Sequence, residues 1–503
     1  MTLEEFKRII SENPPTPGKT LVVPLVRRLG ADLLTPVSAF LKAREPGSYA
    51  FLLESVEGGE RLARYSFIGK RPFQVIEARG RETTLIRFNE EGGEKSRESL
   101  DGGFFEATQG VLDRYHELDV PGLPRLRGGA VGYVAYDAVR LLERISDNGI
   151  GNQSRDQPDA IWCFYNSILA FDHVKHQIIL ISNALVTDGG DLEEAFKSAS
   201  SNLEHMSDTI LHGSFERPAG FSLEDESMSS NMSRSQFEQA VVDAKHHIFE
   251  GDALQIVLSQ RFDAEFTGDR FNLYRALRQV NPSPYLYYLD FDTFALVGSS
   301  PEVLVRLEDG RAELLPIAGT RPRGSSEDED KFFETDLLSD PKERAEHTML
   351  VDLGRNDLGR VCRLDSVQVD RYAYIERYSH VMHIVSSVSG LLKDDYRPMD
   401  VLAACFPAGT VSGAPKVAAM RIIDRLESDR RGIYAGAVGY VDFSGNMDTC
   451  IAIRTMLVTE NTVSIQAGAG IVADSDPAKE YDETVNKARA LREAIRVAAE
   501  ELL

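Results

Sequence analysis

The sequence predicts an α+β fold in which large, mainly antiparallel β-sheets are flanked by helices. Three observations point there. Short runs of strand-like residues recur along the chain, separated by glycine-rich punctuation, as in antiparallel meanders. Long amphipathic stretches at about 341–353, 415–427 and 477–501 interrupt them, without the strand–helix–strand alternation of a doubly wound sheet. No sequence repeat of solenoid period is found.

Residues 1–20 read as a short helix followed by a proline-rich arm, N-P-P-T-P-G. From about residue 49, the runs Y-A-F-L-L-E-S, R-Y-S-F-I-G, P-F-Q-V-I-E-A and T-T-L-I-R-F read as a meander. A helix near Phe104–Tyr115 follows, then strands at Gly129–Tyr136, Ala160–Phe171 and Gln177–Ser182. A polar stretch, 146–159, reads as a surface loop between them, and a helix at Leu192–Met206 closes this half. Residues 212–232 have linker composition, which divides the chain into an N-terminal part, 1–211, and a C-terminal part, 233–503. Ser235 and Glu238 have capping-box spacing at the start of the next helix. Its apolar stripe is Phe237, Ala240, Val241, Ala244 and Ile248, and Gly251 ends it. The run 254–262 alternates as a strand, with Gln255, Val257 and Ser259 on one face. Further strands are expected at Tyr285–Phe291, Phe294–Gly298, Val303–Leu307, Ala312–Pro316, Val381–Gly390, Gly436–Phe443, Thr449–Thr459 and Val463–Gln466.

Length and composition narrow the function. A chain of 503 residues is about three domains' worth and can bury a large core. With 42% hydrophobic and 27% charged residues it is an ordinary globular protein. A formal net charge of −23 argues against a nucleic-acid partner, whereas a small anion needs only local cations or a metal. Cys163, Cys362, Cys405 and Cys450 lack CxxC spacing and read as reduced thiols of a cytosolic protein. The N-terminus has no apolar signal region, and no run approaches the roughly 20 apolar residues of a membrane span. The expectation is a soluble cytoplasmic protein.

The chemistry concentrates at Gln466–Lys487. A strand ending in Gly468-Ala469-Gly470 leads through a turn to a helix that Asp476 caps and Pro477 opens. At about 100° per residue, Glu480, Glu483 and Lys487 share a side that Leu491, Ala494 and Ala498 continue, the side expected to face the core. Ser339-Asp340-Pro341 repeats the device, with Glu343 and Glu346 on the side of Leu350 and Leu353. One such pair is most simply an acidic first turn favoured by the helix dipole and left in water. Two pairs, both on apolar stripes, are harder to dismiss. Four carboxylates converging without a nearby cation would repel one another, and a hard divalent ion, Mg²⁺ before zinc in a set without His or Cys, resolves that.

Other segments agree with an anionic substrate. The glycines Gly468 and Gly470 could turn backbone N–H groups toward a carboxylate, although a tight turn is the simpler account. F-P-A-G-T-V-S-G-A-P-K (406–416) opens a helix with free N–H groups, Thr410 and Ser412, but lacks the phosphate-binding loop spacing. Arg454 stands in an apolar strand, C-I-A-I-R-T-M, where an arginine needs an anionic partner. On spacing alone His383 reads as a satisfied core histidine.

Together these segments resemble the chorismate-utilising enzymes, and among them the large-subunit family (component I) of anthranilate synthases. The matching runs are P-I-A-G-T-R-P-R-G (316–324), D-P-K-E-R-A-E-H-T-M-L-V-D-L-G-R-N-D (340–357), H-V-M-H (380–383), 406–416, G-I-Y-A-G-A-V-G-Y (432–440), A-I-R-T (452–455) and Gln466–Lys487. They span almost all of 233–490. The resemblance implies an α/β/β/α sandwich that converts chorismate and ammonia to anthranilate and pyruvate. It implies Mg²⁺ held by Glu346 and Glu483, with Glu343 and Glu480 supporting through water. Tyr434, Arg454, the backbone of Gly468, Ala469 and Gly470, and Lys487 would hold substrate carboxylates. Glu302 would protonate the leaving hydroxyl, His383 would act near the same end of the ring, and Thr320 and Thr410 would add hydrogen bonds.

Two positions choose among relatives. Gln255 stands where isochorismate and salicylate synthases carry a lysine base, and Ala318 where aminodeoxychorismate synthases carry a nucleophilic lysine. A methyl group cannot attack the ring, so direct amination is favoured. The alternatives are aminodeoxychorismate synthase component I and a non-catalytic amino-acid-binding regulator on the same scaffold. L-L-E-S (52–55), A-R-Y-S-F (63–67) and N-P-S-P-Y (281–285) resemble the family's tryptophan feedback site, implicating Glu54, Ser55, Arg64, Tyr65, Asn281, Pro282, Pro284 and Tyr285. No glutaminase elbow G-x-C-x-G-H is present. If glutamine is the nitrogen source, a separate glutaminase subunit would supply the ammonia, and the resemblance implies an assembly of two large and two small subunits.

Overall fold

The computed structural model describes residues 1–55, 64–89, 92–145, 157–225, 227–378 and 381–500. Most of the expected loop 146–159, together with Ala63 and His380 of the quoted runs, lies outside the described residues. The frame is a pair of sheets, of 14 and 12 strands among the described residues. Their pairings are antiparallel apart from Thr20–Val22 beside Tyr115–Glu117.

Both faces of most strands are apolar, because each sheet is covered twice. In Ala50–Glu54, Phe51 joins the core between the sheets and Leu52 the core under the outer helices. Val75 and Ile76, and Ile161 and Trp162, divide in the same way. Successive side chains point to opposite faces, so doubly covered strands read as continuous apolar runs instead of strict alternation. Helices Leu3–Glu12, Pro36–Ala43, Leu192–His212, Phe271–Val280 and Pro477–Glu500 pack on the larger sheet. Helices Phe104–Leu112, Pro341–Val361 and Pro398–Cys405 cover the smaller one. The layers run helix, sheet, sheet, helix. No described helix is long and apolar enough to cross a membrane. The four cysteines are buried and free.

The two halves of the chain interleave. Ala50–Glu54 pairs with Tyr285–Asp290 in the larger sheet, and Gly129–Val134 with Ala437–Asp442 in the smaller. Residues 212–232 contribute Phe221–Leu223 and Ser229–Ser230, which hydrogen-bond to the strand Gln255–Gly268. Such short strands need only backbone donors and acceptors, so their polar composition does not reveal them.

Local expectations fail where tertiary contacts decide. The helix after the polar stretch is capped by Ser233 with Gln236, two residues before the expected Ser235 and Glu238. Thr20–Gly30, Phe271–Val280, Glu327–Ser339 and Pro398–Cys405 were not expected as elements. The expected strand Thr449–Thr459 is two strands, Met447–Ile451 in the smaller sheet and Thr455–Val458 in the larger. The chain changes sheet at Ala452–Arg454, and Arg454 takes φ +48° to do so. Next to it the chain makes the opposite crossing, from Ala295–Ser300 to Val303–Glu308, through Pro301 and Glu302. Backbone hydrogen bonds tie the two crossings together: Ile451 N–H to the Glu302 carbonyl and Ser299 N–H to the Arg454 carbonyl, each 3.0 Å.

Candidate active site and a second cavity

Two capped helices supply the walls of a cleft. The Asp340 carboxylate accepts from the amides of Lys342 at 2.9 Å and Glu343 at 3.3 Å, starting the helix that carries Glu343 and Glu346. Asp476 accepts from Ala478 at 3.0 Å and Lys479 at 3.2 Å, starting the helix that carries Glu480, Glu483 and Lys487. The core stripe of this second helix begins at Thr484 and runs through Ala488, Leu491 and Ile495. The expected stripe holds at Leu491, Ala494 and Ala498, which are buried, and is one residue out of step at Glu483 and Lys487. Glu483 and Lys487 therefore keep 46% and 55% of their side-chain surface and pair with each other at 2.8 Å across one turn.

The floor is Gln255–Gly268 beside Thr462–Ile471, in a register that sets Val257 against Gly470 and Ser259 against Gly468. A Cβ on Gly470 would lie 2.7 Å from Gln255 Nε2, and one on Gly468 would lie 2.6 Å from the Tyr434 hydroxyl. These positions need glycine for close approach. The neighbouring strand Thr455–Val458 reaches only to Met456 opposite Ile465, so beyond Ile465 it leaves that edge of the glycine run. Gln255 Nε2 donates to Glu346 at 3.0 Å, and Lys487 Nζ donates to the Gly468 carbonyl at 3.0 Å. Contacts thus run from wall to wall: Glu346, Gln255, the glycine strand, Lys487, Glu483.

The paired sheet crossings form the corner. Burial pushes the Glu302 carboxyl up to about 7, against the opposing pull of the Thr410 hydroxyl, Lys487 and Arg454. Desolvation also lowers the Arg454 guanidinium, outweighing the opposing pull of Glu302 and Tyr378. Tyr434 comes from a turn whose next residue, Ala435, has φ +65°. Ala435 N–H donates to the Ala452 carbonyl at 3.0 Å, and Ala452 N–H donates to Gly436 at 2.9 Å, which locks the Tyr434 turn to the Arg454 turn. Non-glycine residues in the left-handed region cost on the order of 1–3 kcal/mol each and persist where the surroundings over-determine them. His383 Nδ1 lies 2.9 Å from the Gly319 carbonyl and 3.1 Å from Thr320 Oγ1. A carbonyl only accepts, so Nδ1 carries the proton and Nε2 keeps its lone pair. Burial, opposed by the hydrogen bond to Gly319 and aided by Arg454, holds the ring below its ordinary range.

The acids are compensated from the protein more than expected. Burial and then Glu346 raise the Glu343 carboxyl, but Arg321 lies 3.4 Å away and also binds Asp336 and Asp340. Burial raises Glu480, opposed by Ser475 and Lys342 and reinforced by Glu483. Arg321 was legible inside P-I-A-G-T-R-P-R-G but had been given no role. Among the described residues, His247, Glu250 and Asp252 at the surface are the one trio whose ligand atoms lie within 4.8 Å of one another. The cleft glutamates stand further apart, on opposite walls. Their all-oxygen donors, the raised Glu343 and Glu480, and the buried, unpartnered Gln255 Oε1 suit a hard divalent cation.

A separate cavity of about 350 Å³ opens between the sheets. Glu54, Ser55, Arg64, Tyr65, Pro284 and Tyr285 line it, together with Arg125 and Asp448. Asn281 and Pro282 are not among its lining residues. Asn281 instead ends the helix Phe271–Val280, with its side-chain nitrogen Nδ2 buried and unpartnered. Glu54 is held by the Tyr274 hydroxyl at 2.5 Å and Arg278 at 2.9 Å, and Arg64 is held by Asp172 at 2.8 Å. The Tyr285 hydroxyl donates to Asp448 at 2.7 Å.

Residues 49–493 match the chorismate binding enzymes as a family. The chain belongs to that family. It is 46% identical over 485 residues to anthranilate synthase component 1 of Acetivibrio thermocellus, covering 95% of this chain and 96% of that protein. It is also 46% identical over 513 residues to the Aquifex aeolicus (strain VF5) protein of that name, covering 99% and 98%. Among solved structures, anthranilate synthase component I from Streptococcus pneumoniae TIGR4 matches with a TM-score of 0.71 at 37% identity, over 93% of this chain and 99% of that one. The menaquinone-specific isochorismate synthase of Escherichia coli shares the fold, with a TM-score of 0.70 at 19% identity over 97% and 98%.

Proposed function

We propose that the chain is the large subunit of an anthranilate synthase, converting chorismate and ammonia to anthranilate and pyruvate. The observation that carries this reading is the corner of Glu302, Arg454 and Lys487 in a cleft with neither lysine of the related reactions, since Gln255 and Ala318 occupy those positions. Arg454 and Lys487 bind the substrate carboxylates, with the Tyr434 hydroxyl and the amides of Gly468, Ala469 and Gly470 as neutral donors. Glu302, kept protonated by burial and beside Thr410, gives its proton to the departing ring hydroxyl. His383, neutral and oriented by Gly319 and Thr320, presents Nε2 toward the same end of the ring. Ammonia attacks the ring from the side of Gln255, which can orient it by hydrogen bonding but cannot activate water as a lysine base would.

Glu346 and Glu483 are the residues to hold Mg²⁺, with Glu343 and Glu480 behind them. When bound, the ion supplies charge compensation for an anionic substrate and Lewis acidity near the leaving hydroxyl. A Glu483→Gln variant is expected to lose Mg²⁺-dependent activity, and full retention would contradict the assignment. Glu480→Gln is expected to raise the Mg²⁺ concentration for half-maximal rate by about 10–100-fold.

The cavity lined by Ser55 and Tyr285 is read as a tryptophan feedback site, and a glutaminase partner as the ammonia source in a cytoplasmic assembly of two subunits of each kind. Aminodeoxychorismate synthesis is the second reading, disfavoured by Ala318. Mass and fluorescence of the product separate the two.

A further inference from the structure

Beside the glycine strand lies a buried ion pair that none of the roles above uses. Glu427 and Arg431 are 7% and 1% exposed. Glu427 Oε1 accepts from the Ser259 amide at 2.8 Å and the Ser259 hydroxyl at 2.9 Å. Arg431 grips the same carboxylate twice, Nη2 to Oε1 at 2.7 Å and Nε to Oε2 at 2.9 Å. It also donates to the backbone carbonyls of Val411 at 2.7 Å and Val257 at 2.6 Å. Its guanidinium lies 4.6 Å from the Tyr136 ring centroid and 5.6 Å from that of Tyr434.

Each attachment ends beside a group of the cleft. Val257 and Ser259 stand in register with Gly470 and Gly468. Val411 directly follows Thr410. Tyr434 is itself a neighbour of the guanidinium, and its hydroxyl reaches the space over Gly468. Stability does not explain the pair, because apolar side chains of similar volume often serve a core as well or better than buried ions. What leucines cannot do is hold separate backbone segments at fixed spacing, which a planar fork of five donors does.

We propose that Arg431 and Glu427 are the positioning residues of the chorismate site, setting Tyr434, the Gly468–Gly470 strand and Thr410 at the spacing that receives the substrate. Neither residue touches substrate. The pair spans both the floor and the corner, so one displacement loosens three contacts together. The proposal rests on the reading of the cleft given above.

The test is a double-mutant cycle on chorismate affinity, measured by titration calorimetry with Mg²⁺ and without ammonia. The four proteins are the wild type, Arg431→Lys, Tyr434→Phe and the double variant, each checked for cooperative thermal unfolding. Lysine keeps the charge and loses the fork. Arg431→Lys is expected to weaken chorismate binding about tenfold alone and by a clearly smaller factor on top of Tyr434→Phe, since one of the three contacts it positions is then already gone. The same factor in both backgrounds, or no effect of Arg431→Lys, overturns the proposal. If Arg431→Lys does not fold, Glu427→Leu with Arg431→Leu, which leaves no lone buried charge, takes its place in the cycle under the same criteria. A wild-type protein that binds no chorismate overturns the reading of the cleft and this proposal with it. Binding without anthranilate formation overturns only the proposed reaction.

Discussion

Glu302 reaches the cleft because the chain changes sheet there, and burial at that corner raises its carboxyl to about 7. The proton is held below that pH and lost above it. With free ammonia held constant, kcat/KM for chorismate is expected to fall about tenfold per pH unit above about 7, the limb of an acid that must be protonated. Glu302→Gln is expected to lower kcat by about 10²–10⁴-fold and to remove that limb. A limb unchanged in the variant would place the acid elsewhere. The shift also has a sign for stability. The folded carboxyl binds its proton more tightly than the unfolded one at 4.5, so its contribution is fully present below about 4.5 and is lost as pH rises through about 7.

At the scale of elements, the glycine strand fixes the floor by what it lacks. A Cβ on Gly468 would meet the Tyr434 hydroxyl at 2.6 Å and the Leu258 carbonyl at 2.8 Å. Gly468→Ala is expected to cost about 1–3 kcal/mol of stability through overpacking and to weaken chorismate binding about tenfold. Unchanged calorimetric affinity would show that Tyr434 does not act over this strand. These elements also mark how far the sequence could be read. Asp340 and Asp476 announced their helices because a cap is a contact between residues two or three apart. Both glutamate pairs followed from helical spacing alone. The rotation of the last helix did not, because Glu480, Glu483 and Lys487 lead into Leu491 on a plausible stripe, and only packing chose the stripe from Thr484. The break at Arg454 was hidden inside C-I-A-I-R-T-M, whose β propensity is the same on both sides of a crossing that belongs to the tertiary fold. Arg431 carried no signal beyond being charged.

The whole molecule is a pair of sheets to which both halves of the chain contribute, and this brings the two sites into one framework. Tyr285, in the cavity, lies on a strand adjacent to Ala295–Ser300, which leads directly into Glu302. Asp448, which accepts from Tyr285, lies on the strand that leads to Arg454. A ligand that moves Tyr285 or Asp448 is therefore expected to act on both crossings. Ser55→Phe is expected to leave kcat nearly intact while raising the tryptophan concentration needed for inhibition, through loss of a coupling on the order of 1–3 kcal/mol. Inhibition unchanged in that variant would remove Ser55 from the site. The central claim is the reaction itself, and one assay reads it: the purified chain is mixed with chorismate, Mg²⁺ and free ammonia, and product is followed by fluorescence and mass. Anthranilate and pyruvate in equal amounts are the predicted result. Chorismate bound but unconverted, or converted to an aminodeoxychorismate or a hydroxylated isomer, would contradict it.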